Sequence, residues 1–175
     1  IYVKHKEYDK AKKLFGGKLA KYLDDPAQAK ALAQALKIAI NSVYGLTSAT
    51  FDNPFRNPKN ANNIVALRGT LFMRTLQDEV QQRGFTVAHI KTDSIKIPGA
   101  TPEIIDFCMK FAEKYGYQFE HEATYEKMCL VNNAVYIARY MDAADCKARY
   151  GYVPGDNEKE GGEWTATGTQ FQVPY

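Results

Sequence analysis

Thr86-Val87-Ala88-His89-Ile90-Lys91-Thr92-Asp93-Ser94-Ile95-Lys96-Ile97-Pro98 is the stretch that decides the fold. Two short runs rich in β-formers flank a polar centre, Lys91-Thr92-Asp93-Ser94. Val87 and Ile90 lead in, and Ile95 and Ile97 alternate on the way out. The pattern predicts a tight hairpin, about residues 85–98, with its turn near Asp93. A carboxylate at the tip of a stiff hairpin is held by two strands and covered by neither. Such a carboxylate suits Mg²⁺, which needs hard oxygen ligands at fixed positions. The same residues also fit an ordinary β-turn, where Asp and Ser are common for local hydrogen-bonding reasons.

The 175 residues are enough for one large domain, or one domain with an appendage. Hydrophobic content of 45% and charged content of 25% are those of an ordinary globular protein. No apolar run is long enough for a membrane span, and no signal peptide is visible. Cys108, Cys129 and Cys146 are widely spaced and form no CxxC, which argues against a disulfide framework or zinc site. A reducing, cytoplasmic compartment is the expectation. A net charge of +3 is too small to argue for nucleic acid, but its distribution is uneven. Residues 1–37 hold nine Lys against four Asp and Glu, and the remainder is slightly acidic. That local basic surface fits a phosphate partner or a merely solvated helix face.

Upstream of the hairpin the pattern is helical. Tyr8, Ala11 and Phe15 share a helical spacing that ends at Gly16-Gly17. Asp25-Pro26 reads as N-cap and first helical residue of a long helix to about Leu46. Its apolar stripe is Leu32, Ala35, Leu36, Ala39, Ile40 and Val43. A second stripe, Lys30, Gln34, Lys37, Asn41 and Tyr44, aligns a lysine, an amide and an aromatic ring. The short connection predicts that the two helices form an antiparallel hairpin. Lys4 and Lys37 would then both lie about 17 Å from its tip, at about 1.5 Å per residue, placed to grip one polyphosphate. Residues 47–63 read as an irregular loop dense in Asn and Pro. Asn63 to Arg83 reads as a helix with Ile64, Leu67, Leu71, Phe72, Leu76 and Val80 on its apolar face. Downstream, Thr101-Pro102-Glu103 opens a helix carrying Ile104, Cys108, Phe111 and Tyr115, stopped by Gly116. Gln118–Glu122, Lys127–Val131, Ala134–Tyr140 and Trp164–Gln170 read as strands, and residues 141–163 as a polar surface loop. The order predicts an α+β fold, an antiparallel sheet with helices packed on one face.

Two stretches carry a specific resemblance. Lys37-Ile38-Ala39-Ile40-Asn41-Ser42-Val43-Tyr44-Gly45 resembles the Kx3NSxYG motif of family B DNA polymerases, and His89-Ile90-Lys91-Thr92-Asp93-Ser94 resembles that family's YxDTDS motif. Asn132-Asn133-Ala134-Val135-Tyr136 stands where the family has KKRY, with only the Tyr matching. The short loops resemble those of protein-primed or phage-like members.

The resemblance implies helical-hairpin fingers over residues 1–46 and a partial palm over 47–175. It implies DNA-directed nucleotidyl transfer of deoxynucleotides onto a primer 3′-hydroxyl with two Mg²⁺ ions. Asp93 then matches a catalytic metal ligand. Lys37 and Lys4 match lysines that meet the incoming deoxynucleoside triphosphate, and Asn41 and Tyr44 match residues lining the nascent base pair. Lys91, Thr92, Ser94, Tyr136 and Arg139 would face the primer-template DNA, with Arg139 substituting for the missing basic residues. Three departures qualify this. Lys91 replaces the first aspartate of YxDTDS, the KKRY basics are missing, and no DxxSLYPS motif, source of the second metal-binding aspartate, occurs. The arginine partner of Lys4 would fall immediately before Ile1. The expectation is therefore a piece of a longer polymerase that does not polymerise alone. The alternative is a nucleotide- or DNA-binding module that has lost its chemistry.

Overall fold

The computed structural model describes Asp9, Lys13, residues 17–160 and residues 163–168. The first expected helix, Lys4 with it, lies outside the described residues apart from Asp9 and Lys13. The chain forms two compact units, Ile1–Leu67 and Arg68–Tyr175.

In the first unit a 3-10 helix, Gly17–Leu23, precedes α1, Pro26–Ser48. Asp25 starts α1 as its residue type predicts. Its carboxylate accepts from the Ala27 N–H at 3.1 Å, and Pro26 sits where a missing N–H costs nothing. The helix ends without a glycine. Thr47 donates its hydroxyl to the Val43 carbonyl at 2.8 Å, and Ser48 to the Tyr44 carbonyl at 2.6 Å. The following loop contains one helical turn, α2, Pro58–Ala61, capped by Asn57.

The asparagines of that loop fasten it to the end of α1. Asn53 Nδ2 donates to the Leu46 carbonyl at 3.1 Å, and Asn60 Nδ2 to Thr47 Oγ1 at 3.0 Å. The middle of α1 has no such neighbours among the described residues. Of its residues only Ala29 is buried, and Ile40 and Val43 of the expected apolar stripe are 68% and 63% exposed.

The second unit is built around the later half of α3, Ile64–Gln82. The apolar face of α3 divides along its length. Ile64, Leu67 and Leu71 are exposed, whereas Met73, Leu76 and Val80 are buried. Gly84, at φ 84°, lets the chain turn out of the helix in a left-handed conformation that a side chain would strain. The hairpin follows: β1, His89–Lys91, pairs antiparallel with β2, Ser94–Lys96, in the register His89 to Lys96, Ile90 to Ile95 and Lys91 to Ser94.

Next comes α4, Pro102–Lys114, which buries Ile104, Cys108, Phe111 and Ala112. Leu76, Val80, Ile104, Cys108 and Phe111 make the core, and Phe72, Val87, Ile95, Ile97 and Phe119 pack against it. Two helices thus cover one side of the hairpin. At about 1.5–3 kcal/mol per fully buried large apolar side chain, this contact is what holds the hairpin in place.

A second antiparallel sheet contains β3, Tyr125–Leu130, β4, Tyr136–Tyr140, and β5, Trp164–Thr167, in that order. The fold is mixed helix and antiparallel strand, but the strands divide into two small sheets instead of one. Two local expectations are corrected. Gln118–Glu122 is not a strand: Phe119 anchors on Phe72, with ring centroids 5.8 Å apart, and the Glu122 carbonyl accepts from Asp156 N, so the segment runs over the core instead of along a ladder. Residues 141–163 are not a plain loop. They hold α5, Ala143–Tyr150, and α6, Gly155–Glu160. Asp142 caps α5 by accepting from Ala144 N at 2.7 Å, and Gly151 leaves it at φ 80°. Fully buried Asn157 locks α6 to the sheet through both backbone groups of Thr124 and the Met141 carbonyl. No helix among the described residues is long and apolar enough to cross a membrane.

Candidate nucleotide and nucleic-acid site

Asp93 lies exposed at the tip of the β1–β2 hairpin. Its N–H donates to the Lys91 carbonyl at 2.7 Å across Thr92, whose φ is 53°. A bond from residue i to i+2 around a positive φ is the rarer, strained form of γ-turn. For a β-branched residue such a φ is an outlier, and strain of this kind persists only where its surroundings impose it. Here the two strands and their packing on the core do so.

The turn also decides where Lys91 points. Lys91 and Asp93 are two residues apart but do not sit on one extended strand, because the chain reverses between them. Lys91 Nζ donates to the Ala134 carbonyl at 3.0 Å, in the connection between β3 and β4. His89 reaches the same connection, its Nε2 lying 3.0 Å from the Asn133 carbonyl. Nδ1 of this buried ring has no partner among the described residues.

Tyr136, the remaining match to KKRY, is buried on β4. Its hydroxyl lies 3.3 Å from that of Tyr125. Burial, together with that neighbouring hydroxyl, pushes the Tyr125 phenol well above its ordinary range, so it stays neutral. Lys96 Nζ stands 5.4 Å from the centre of the Tyr136 ring and donates to Ser94 Oγ at 2.9 Å. Partial burial lowers the Lys96 pKa; Lys91 acts in the same direction, and Glu122 and Asp93 oppose it. Arg139 pairs with Glu126 at 3.1 Å.

Asp93, Ser94, Lys96 and Tyr136 all line one groove of about 810 Å³, which Glu122 and Tyr125 line as well. The structure therefore brings three of the expected residues, Asp93, Ser94 and Tyr136, to a common groove. Lys91, Thr92 and Arg139 lie on the same elements but do not line it. Lys96 was missed in the sequence reading. Its signal was its position two residues after Ser94 on a predicted strand, which puts both side chains on one face. Cys108 is no candidate nucleophile, since burial pushes its thiol up to about 11.

In the first unit, Lys37, Asn41 and Tyr44 are exposed along α1 at helical spacing. The Tyr44 hydroxyl donates to Asn63 Oδ1 at 3.0 Å, which ties its ring to the residue preceding α3. Lys37 and Asn41 thus stand on a face open to a ligand.

The donor set among the described residues does not make a two-metal centre. Among the described residues no three His, Cys, Asp or Glu side chains converge where they could hold a metal ion. Asp93 offers one carboxylate, and Mg²⁺ wants near-octahedral oxygen coordination. No family model matches the chain, and no curated protein and no solved structure matches it either.

Proposed function

We propose that this chain is the fingers-and-palm part of a DNA-directed DNA polymerase of the family B, phage-like kind, a nucleotidyltransferase acting on primer-template DNA and deoxynucleoside triphosphates. The observation that carries the reading is a pair of motifs: Lys37, Asn41 and Tyr44 on one exposed helical face, then Thr92-Asp93-Ser94 at a hairpin tip. In this reading Lys37 meets the triphosphate as a mobile point charge, and Asn41 and Tyr44 border the base pair. Asp93 would contribute one metal ligand, and the others would come from residues beyond those described. Tyr136 lies beside the primer-template duplex.

One observation favours a second reading, a nucleotide- or DNA-binding module without chemistry. Asp93 has no converging partners for a metal among the described residues, and Lys91 stands where the resemblance expects an aspartate.

The test is titration of the 175-residue chain with a fluorescent deoxynucleoside triphosphate and the matching monophosphate. The triphosphate should bind several-fold more tightly, since a charge contact at an effective dielectric near 20 is worth a few kcal/mol at most before desolvation. Lys37→Ala should remove most of that preference. Equal affinity for both nucleotides, or a preference that survives Lys37→Ala, would overturn the assignment.

A further inference from the structure

Three cations, Lys91, Lys96 and Arg139, stand on the hairpin strands and on β4, the elements that carry Asp93 and Tyr136, and they are engaged differently. Arg139 directs its guanidinium to Glu126 at 3.1 Å. Lys91 directs its ammonium to a backbone carbonyl of the β3–β4 connection at 3.0 Å. Of the three, Lys96 lines the groove that Asp93, Ser94 and Tyr136 share; Arg149, which also lines it, stands on α5 with its guanidinium 5.5 Å from the centre of the Tyr150 ring.

Its placement is also the most constrained. Ser94 Oγ accepts one of its three ammonium protons at 2.9 Å, and the ring of Tyr136 lies beneath the charge at 5.4 Å, within cation–π range. That ring is itself fixed, being buried and in hydroxyl contact with Tyr125. A lysine held at both its ammonium and its aromatic platform loses little further freedom on meeting a ligand, and two N–H donors remain for it.

We infer that Lys96, not Arg139, supplies the cation that grips a backbone phosphate of the nucleic-acid strand laid against Tyr136. This rests on the polymerase reading and deepens it by naming the phosphate-binding side chain of the groove. The ring sets the height of the ammonium above the groove floor, and Ser94 sets its position along β2. The contact reads no bases, because a point charge on a phosphate is indifferent to sequence. Glu122 and Glu126 also line the groove, so duplex binding should be weak, and its salt dependence should carry the Lys96 contact as about one unit of slope.

The experiment measures fluorescence anisotropy of a labelled primer-template duplex with the 175-residue chain, at salt from about 50 to about 200 mM. Lys96→Met should weaken binding several-fold at the lowest salt and make the log–log salt slope shallower by about one. Lys96→Arg, which keeps the charge, should restore most of the slope. Lys110→Ala, on α4 and paired with Asp106 at 2.7 Å, is the control and should change neither quantity. Far-UV circular dichroism of each variant checks folding, and Lys96→Gln replaces Lys96→Met if the latter misfolds. If the parent chain binds duplex and neither neutral variant changes the slope, the inference about Lys96 is wrong while the polymerase reading stands. If the parent chain binds no duplex at about 50 mM salt, the polymerase reading fails and the inference falls with it.

Discussion

Replacing Thr92 by glycine should stabilise the second unit. Thr92 is exposed and holds a φ of 53° in a γ-turn closed by the 2.7 Å bond from Asp93 N to the Lys91 carbonyl. A left-handed backbone costs a residue with a Cβ roughly 1–2 kcal/mol, and glycine escapes that cost. Glycine in turn gives up roughly 0.5–1 kcal/mol of unfolded-chain entropy. No buried contact is lost, so the net gain is about 0.5–1 kcal/mol, or about 1–4 °C in Tm for a chain of this size. Thermal melting followed by far-UV circular dichroism measures it. Thr92→Val, which keeps the β-branch and removes only the hydroxyl, should give no gain. Destabilisation by Thr92→Gly, or equal gains from both variants, would refute the argument that the hairpin tip is strained.

Three further outcomes are expected. Asn157→Ala should cost about 3 kcal/mol in urea unfolding, because it strands the buried N–H and carbonyl groups of the Thr124–Met141 region that Asn157 now satisfies. His121 has its pKa lowered below 6.5 by burial, with the Ala123 backbone opposing; below pH 6.5 the unfolded chain binds more protons, so stability should fall until the pH passes the folded-state value. His121→Gln should flatten the urea midpoint between about pH 7.5 and pH 5.5, and an unchanged profile would show that this ring does not drive it. On the proposed polymerase reading, Lys37→Ala in a full-length protein should lower kcat as well as raise KM for nucleotide, whereas Tyr44→Ala should chiefly loosen base-pair selection, as single-turnover incorporation of matched and mismatched nucleotides would show.

The parts of the fold that read correctly are those where one local signal sufficed. Asp25-Pro26 marks the start of α1 because an N-cap carboxylate and a proline satisfy the helix end by themselves. Alternation around Thr92-Asp93 was enough to place the hairpin tip. The α5–α6 region failed because its decisive residue acts at a distance. Asn157 looks like a polar loop residue until its partners, Thr124 and Met141, are known. Gln118–Glu122 failed for a related reason: its β-formers serve the core through Phe119, and no strand lies beside them.

At the candidate site, motif spacing pointed to Asp93, Ser94 and Tyr136, and the three line one groove. Alternation puts Lys96 on the face of Ser94, but the tyrosine beside its ammonium comes from another sheet and is not legible from spacing. The γ-turn that separates Lys91 from Asp93 is invisible in residue type.

On the proposed polymerase reading, primer extension by a full-length protein carrying Asp93→Asn tests the central claim most directly. The substitution keeps the size and exposure of the side chain and removes only its charge. The account predicts loss of extension with primer-template binding no weaker than the parent's, because the hairpin tip carries the reaction's charge requirement and not the grip on DNA. Extension by the variant at a rate near the parent's would contradict the assignment of Asp93 to the chemistry, and with it the polymerase reading of this hairpin.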